Sequence, residues 1–217
     1  MSAKQRTRLI LVRHGETAAN REMRYIGSRD DELTERGHLQ AQQVADALAV
    51  LPISAIYASP RRRTQATAEP LAAKLGLPIV IADDLRENAF GLWEGMSRAE
   101  VLAHSAESAA QLQAWEADPS IAPPSGESIT AMTERVELFA ADLCTRHPDQ
   151  TLVLVSHVGP IKALIAITLG VAPAAIQRMF LDPATISVID WIGAQRLLRL
   201  FNSHAHLGWT AARWMEP

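Results

Sequence analysis

A single cysteine, Cys144, stands among 217 residues. One thiol can make neither an intrachain disulfide nor a multi-thiolate metal centre, and its isolation agrees with a reducing compartment. Long hydrophobic runs are missing too. The longest, from Ile161 to Val171, is interrupted by Lys162 and ends at Gly170, well short of the roughly 18–20 residues a membrane helix needs. Behind the basic start from Met1 to Arg8, only Leu9 to Val12 are apolar, too few for a secretory core of about 7–15 residues. Nor is there an excess of positive charge: 21 basic against 24 acidic side chains leave a net −3. A domain that coats nucleic acid carries a strong basic surplus instead. The expectation is a cytoplasmic protein with no membrane span and no nucleic-acid partner.

What remains is an ordinary globular composition, 48% hydrophobic and 21% charged. A chain of this length folded as one α/β domain buries roughly 70% of its unfolded surface, enough for a core without staples. Leu9 to Val12 is a continuous apolar run, which suits a central strand covered on both faces. Ala41, Val44, Ala45 and Leu48 then follow helical spacing, with Thr34 and Gly37 near the start and Pro52 beyond the end. Ile53 to Ala58 reads as a strand, Pro60 to Leu75 as a helix closing on Gly76, and Ile79 to Ala82 as a short third strand. The stretch from Ser97 to about Trp115 is helical in composition but weakly patterned, and Asp118 to Gly126 reads as a proline-rich loop. Together they form an expected helical and loop insertion over the sheet at about 97–126, inside a single domain spanning 1–217. Ile129, Met132, Val136, Phe139 and Leu143 mark the clearest amphipathic helix. Thr151 to Ser156 is another apolar strand, followed by a helix with Pro160 in its first turn and Gly170 at its end. Two β-rich runs, Thr185 to Trp191 and Leu197 to Phe201, close the pattern. Strands alternating with helices mean an α/β fold.

The informative feature is a near-repetition. Leu9-Ile10-Leu11-Val12-Arg13-His14-Gly15 and Leu152-Val153-Leu154-Val155-Ser156-His157-Val158-Gly159 are each a buried strand ending in a histidine near a glycine. Ligands of open α/β sheets sit outside the carboxyl ends of the strands, so two such strands side by side bring both imidazoles into one crevice. Arg13 adds a fixed charge there, which favours an anion and disfavours protonation of His14. Gly15 removes a side chain where a ligand could approach the backbone. A neutral histidine beside arginines suits phosphoryl capture.

Arg13-His14-Gly15-Glu16-Thr17, followed by Asn20, resembles the signature of the histidine phosphatase superfamily, the group that includes cofactor-dependent phosphoglycerate mutase. Ser59-Pro60-Arg61-Arg62-Arg63-Thr64-Gln65 resembles its second arginine motif, Glu87-Asn88-Ala89-Phe90-Gly91-Leu92-Trp93-Glu94-Gly95 its acid segment, and Val155-Ser156-His157 its second-histidine strand. The resemblance covers essentially the whole chain. It implies a three-layer α/β/α sandwich with a mostly parallel central sheet, phosphoglycerate mutase-like. It also implies roles: His14 as the nucleophile that becomes phosphohistidine, and Glu87 as proton donor. Arg13, Arg63 and His157 would hold the phosphoryl oxygens. Asn20 would contribute from the first loop and His206 from the C-terminal stretch; Thr17 is a further substrate-binding candidate, and specificity is expected from mouth residues around Tyr25 and Gly27, in the insertion from Ser97 to Pro124 and near His206. Two arginine forks and a second histidine can neutralise three equatorial oxygens without a metal or a cofactor.

Other residues have simpler readings. Adjacent helical residues point about 100° apart, so of Arg61, Arg62 and Arg63 one faces the site and two the surface. Glu94 and Glu16 rank behind Glu87 as the acid, and Asp83 and Asp84 are solvated loop acids. His204 and His206 have a spacing that can bind metal, without carboxylates or thiolates nearby in sequence. His38, His104 and His147 need no function. Three activities stay open: a phosphomonoesterase of a small phosphorylated metabolite, a phosphoglycerate mutase, and a silent phospho-ligand-binding homologue. The short, acid-leaning middle, the close seven residues after Thr210 and the Trp93-Glu94-Gly95 variant are similar to the phosphatase branch. The terminal β-rich runs offer sheet edges through which a homodimer could pair.

Overall fold

The structure, a computed structural model, describes residues 5–208 and Ala212. Thr210 and the residues after Ala212, on which the reading of the chain's close rests, lie outside the described residues. Among the described residues six strands form one sheet: β1 (Arg6–Arg13), β2 (Ile53–Ala58), β3 (Ile79–Ile81), β4 (Thr151–Ser156), β5 (Ile186–Ile192) and β6 (Gln195–Ser203). Their order is β3-β2-β4-β1-β5-β6. The first four strands are parallel where they pair, whereas β5 runs antiparallel to both β1 and β6. The sheet is therefore mostly parallel, with an antiparallel hairpin along one edge. The two β-rich runs thus supply one true edge, β6; β5 is paired on both sides.

The unbroken apolar run in β1 reflects the layers that cover it. Leu9 and Leu11 face one core, shared with α6 (Ile129–Arg146) and α7 (Val158–Leu169), through Met132, Val136, Leu143, Ile161 and Leu164. Ile10 and Val12 face the other, shared with α2 (Glu35–Leu48) and α3 (Arg62–Leu75), through Val44, Leu48, Ala68 and Leu71. Successive strand residues point to opposite faces, so a strand sandwiched between helical layers is apolar at every position. Three layers result, as the resemblance implied.

Local signals fix the helix ends. The Thr34 hydroxyl accepts from Gly37 N–H at the start of α2, and Gly76 and Gly170 end α3 and α7 with φ of 64° and 65°, a backbone region that a Cβ penalises. The stretch after Ser97 is two helices, α4 (Arg98–His104) and α5 (Ala106–Ala117), capped by Ser97 and Ser105. They close over a small core of their own, Trp93, Val101 and Leu112, with Tyr25, Phe90 and Trp115 packed against it. α1 is one short turn, Ala18–Arg21.

The central pairing is the part of the fold that builds the site. β1 and β4 are neighbours in parallel register, with Val12 opposite Val155 and Arg13 opposite Ser156. The next residue on each strand is a histidine. No helix among the described residues is long and apolar enough to cross a membrane.

Candidate active site

At the carboxyl ends of β1 and β4 lies a cavity of about 590 Å³, lined by Arg13, His14, Thr17, Asn20, Gly27, Arg63 and Glu87 among others. It falls within the range of about 300–1,000 Å³ usual for small-molecule sites. His14 is held by its backbone on two sides: its N–H donates to Ser156 and its carbonyl accepts from Ala184 N–H, both at 3.0 Å. Its ring Nδ1 lies 2.7 Å from the Gly15 carbonyl. A carbonyl only accepts, so Nδ1 carries the proton and Nε2 keeps a lone pair. Burial, then the charges of Arg63 and Arg13, push the His14 pKa well below its ordinary 6.5. Burial thus outweighs the neighbouring arginine as the reason this ring is neutral.

Gly15 has a packing reason of its own. A Cβ there would lie 2.6 Å from the Gly37 carbonyl, and one on Gly37 would overlap the Glu16 carbonyl. The two glycines let the first loop lie against the start of α2.

Arg62 is exposed and Arg61, expected at the surface, is half-buried with its Nε shielded from solvent, while Arg63 is buried, as expected of the one arginine of its run that faces inward. Its Nη1 donates to Arg29 carbonyl at 2.6 Å, Nη2 to Gly27 carbonyl at 3.1 Å and Nε to His157 Nδ1 at 3.3 Å. The guanidinium is therefore oriented by acceptors without being neutralised by a bonded carboxylate. Arg13 donates Nη1 to the Leu181 carbonyl. The loop that supplies Leu181 and Ala184 is itself anchored by Asp182, whose Oδ2 is 2.7 Å from His204 Nε2.

The structure brings His157 to His14, ring centroids 5.2 Å apart, but not to the cavity wall. His157 is fully buried, and burial followed by the Arg63 charge lowers its pKa well below 6.5. Because Arg63 donates to Nδ1, the proton sits on Nε2 and is given to Ser59 Oγ at 2.8 Å.

Glu87 lines the cavity, its Oε1 accepting from Asn88 N–H at 2.9 Å and from Gly159 N–H, in the first turn of α7, at 3.0 Å. The rival carboxylates are structural. Glu94 accepts from Ser28 N–H, Ser28 Oγ and Phe90 N–H, tying two loops together. Glu16 accepts from Thr34 Oγ1 and faces Arg36.

Thr17 and Asn20 line the cavity as a reciprocal cap on α1. Gly27 lines it also, with φ of +44° and the Glu94 carboxylate where a Cβ would be. His206, like His157, is a candidate that lies outside the cavity wall: its Nε2 bonds the Ala184 carbonyl at 2.8 Å. With His204 on Asp182, the His-x-His pair is split between two partners, and no metal-capable group of three or more forms among the described residues. His147, read as needing no role, bridges Tyr57 and Gln150 inside the fold. Cys144 is held as an inert thiol, pushed up to about 12 by burial.

Sequence reasoning missed Asn88 and Lys162, both in the cavity wall. The signal for Lys162 was present, as the one charge inside an otherwise apolar helix.

The family model of the histidine phosphatase superfamily (branch 1) matches residues 9–204, and the chain belongs to that family. It is 37% identical over 205 residues to the bifunctional protein Rv2228c of Mycobacterium tuberculosis, matching 93% of this chain and 55% of that protein. The chain thus spans about half the length of that curated relative. It is 34% identical over 202 residues to phosphoserine phosphatase 1 of Hydrogenobacter thermophilus, covering 93% of this chain and 94% of that protein. Among solved structures, the α-ribazole phosphatase of Shigella flexneri superposes with a TM-score of 0.81 at 34% identity, covering 91% of this chain and 97% of the other.

Proposed function

We propose that this chain is a cytoplasmic phosphomonoesterase that hydrolyses a small phosphorylated metabolite through a phosphohistidine on His14. The observation that carries the reading is the His14 ring, neutral, proton on Nδ1, Nε2 unshared, at the wall of a cavity that also holds Arg13, Arg63 and Glu87. The Nε2 lone pair attacks phosphorus in line; the N–P bond forms as the ester P–O bond breaks, and Glu87 passes its proton to the departing oxygen. In the second step Glu87 takes a proton from water. The new O–P bond forms, the N–P bond breaks, and inorganic phosphate leaves with His14 restored. Arg13 and Arg63 offset charge on the equatorial oxygens in a largely desolvated site, where such charge counts most. His157 holds the Nε edge of Arg63, its ring 5.2 Å from that of His14, and acts on the phosphoryl group through that arginine. Metal ions and cofactors have no step to perform in this scheme.

Relatives named for phosphoserine and for α-ribazole support phosphomonoester hydrolysis. Their alcohols differ, which leaves the substrate to be found by a screen of metabolite esters with and without chelator. Chelator-resistant hydrolysis with an acid-labile phosphoenzyme is the expected result. Full activity of His14→Ala would overturn the mechanism, and transfer from bisphosphoglycerate to phosphoglycerate outpacing hydrolysis would make the protein a mutase.

A further inference from the structure

Lys162 and Asn88 are among the polar side chains of the cavity wall that have no part in the mechanism above. Lys162 sits in α7 between Ile161 and Ala163, both buried, yet lines the cavity. Its ammonium has no hydrogen bond or ion pair among the described residues. Arg24, another cation of the wall, is matched by Glu22, Glu100 and the Gly95 carbonyl. Asn88 is only 3% exposed, and neither atom of its carboxamide has a hydrogen-bond partner. Buried amides are nearly always satisfied, so one left open at a cavity wall points to a ligand.

Both flank the acid. Glu87 Oε1 accepts from the backbone of Asn88 and from the backbone of Gly159. Lys162 follows Gly159 by three residues on the same face of α7. If Glu87 serves the oxygen of the leaving alcohol, then groups on either side of it meet the alcohol and not the phosphoryl group. We propose that Lys162 and Asn88 form a subsite for a second anionic group, a carboxylate or a phosphate, carried by the leaving alcohol. The ammonium supplies charge and the carboxamide N–H a directed hydrogen bond. The inference rests on the phosphatase reading and narrows its substrate class to doubly anionic esters.

The experiment compares kcat/KM within matched pairs: 3-phosphoglycerate against glycerol 3-phosphate, and fructose 1,6-bisphosphate against fructose 6-phosphate. Wild type is expected to favour the doubly anionic member of at least one pair by about tenfold or more, the scale of a charge-assisted hydrogen bond. The favoured pair says whether carboxylate or phosphate is read. Lys162→Met and Asn88→Leu should each compress that ratio, mainly through KM, and Lys162→Arg should keep most of it. Each ratio is taken within one preparation, so the folded fraction cancels. Equal efficiencies within both pairs in wild type would overturn the subsite and leave the phosphatase standing. Variants that slow both members by one common factor would overturn it too, by assigning these residues to the phosphoryl group or to folding. Hydrolysis of none of the four esters, with activity on singly anionic esters in the wider screen, would overturn the subsite alone, whereas no hydrolysis of any ester in that screen would sink the phosphatase reading and this inference with it.

Discussion

At the tip of β1 the His14 ring gives its Nδ1–H to the next residue's carbonyl and keeps Nε2 open; at the tip of β4 the His157 ring has both nitrogens bonded, to Arg63 and Ser59. The sequences leading to the two rings are nearly interchangeable. The difference arises one residue later. Gly15 lies in a loop, so its carbonyl is free to accept from the ring before it. Val158 begins α7, where a carbonyl points along the helix toward the N–H four residues on. Two similar strand ends therefore present one ring with an open nitrogen and one with both nitrogens bonded.

The largest test of that contrast removes each ring. His14→Ala should lower kcat by about 10⁴-fold or more, because the covalent step has no other nucleophile, whereas His157→Ala should cost about 10²-fold, the scale of a lost orienting or charge-stabilising group. Single-turnover hydrolysis with phosphoenzyme trapping separates them; equal losses would erase the distinction.

Acid should act on both rings at once. Each is held neutral in the fold, with a pKa well below 6.5, so the unfolded chain binds more protons once pH falls below that value. Stability is then present at neutral pH and drains away below about 6.5, by about 1.4 kcal/mol per pH unit for each histidine until its folded pKa is reached. Urea unfolding between pH 7.5 and 5 measures the slope, and a flat profile would contradict the buried-neutral assignment. Activity should show no inflection near 6.5 from His14 for the same reason.

On the alkaline side, Lys162 is the titrating group, lowered to about 8 by burial first and then by Arg13, against the pull of Glu87. Preference for doubly anionic esters should fall as pH rises through about 8. The matched ester pairs, followed across pH 7 to 9.5, read this directly; a pH-independent preference would detach it from Lys162.

The smallest effect belongs to Ser59→Ala. It takes the acceptor from His157 Nε2 and should cost about 1 kcal/mol of stability, the net worth of one hydrogen bond, with a several-fold loss of kcat. An unchanged kcat would mean that the Ser59 contact does not orient the second ring.

The fold was readable to an unusual depth because its signals are local. β2 and β4 fall at Ile53–Ala58 and Thr151–Ser156 as the apolar runs predict. β1 runs beyond Leu9–Val12 to Arg6 and Arg13, since pairing with β4 and β5 extends a strand past its apolar centre. The segment over the sheet was legible only as helical, because α4 and α5 bury few of their residues and so carry little periodicity.

The site divides the same way. Arg13, His14, Arg63, Glu87 and His157 could be named from motifs, and so could the inward turn of one arginine out of three. That Glu87 and not Glu94 or Glu16 faces the cavity depends on contacts with residues distant in sequence: Ser28 for Glu94, Thr34 for Glu16, Gly159 for Glu87. His206 looked like a mouth residue until the Ala184 carbonyl claimed its ring.

The sequence by itself determined the strands, the layered α/β plan and the candidate site residues, because periodicity, caps and strand-end motifs are written within a few neighbouring positions. Only the tertiary structure decided the protonation of each histidine, the reason for Gly15 and the company of Lys162 and Asn88. Those depend on burial and on hydrogen-bond partners from elsewhere in the chain, such as the 94 positions that separate Arg63 from His157, and no local pattern encodes them.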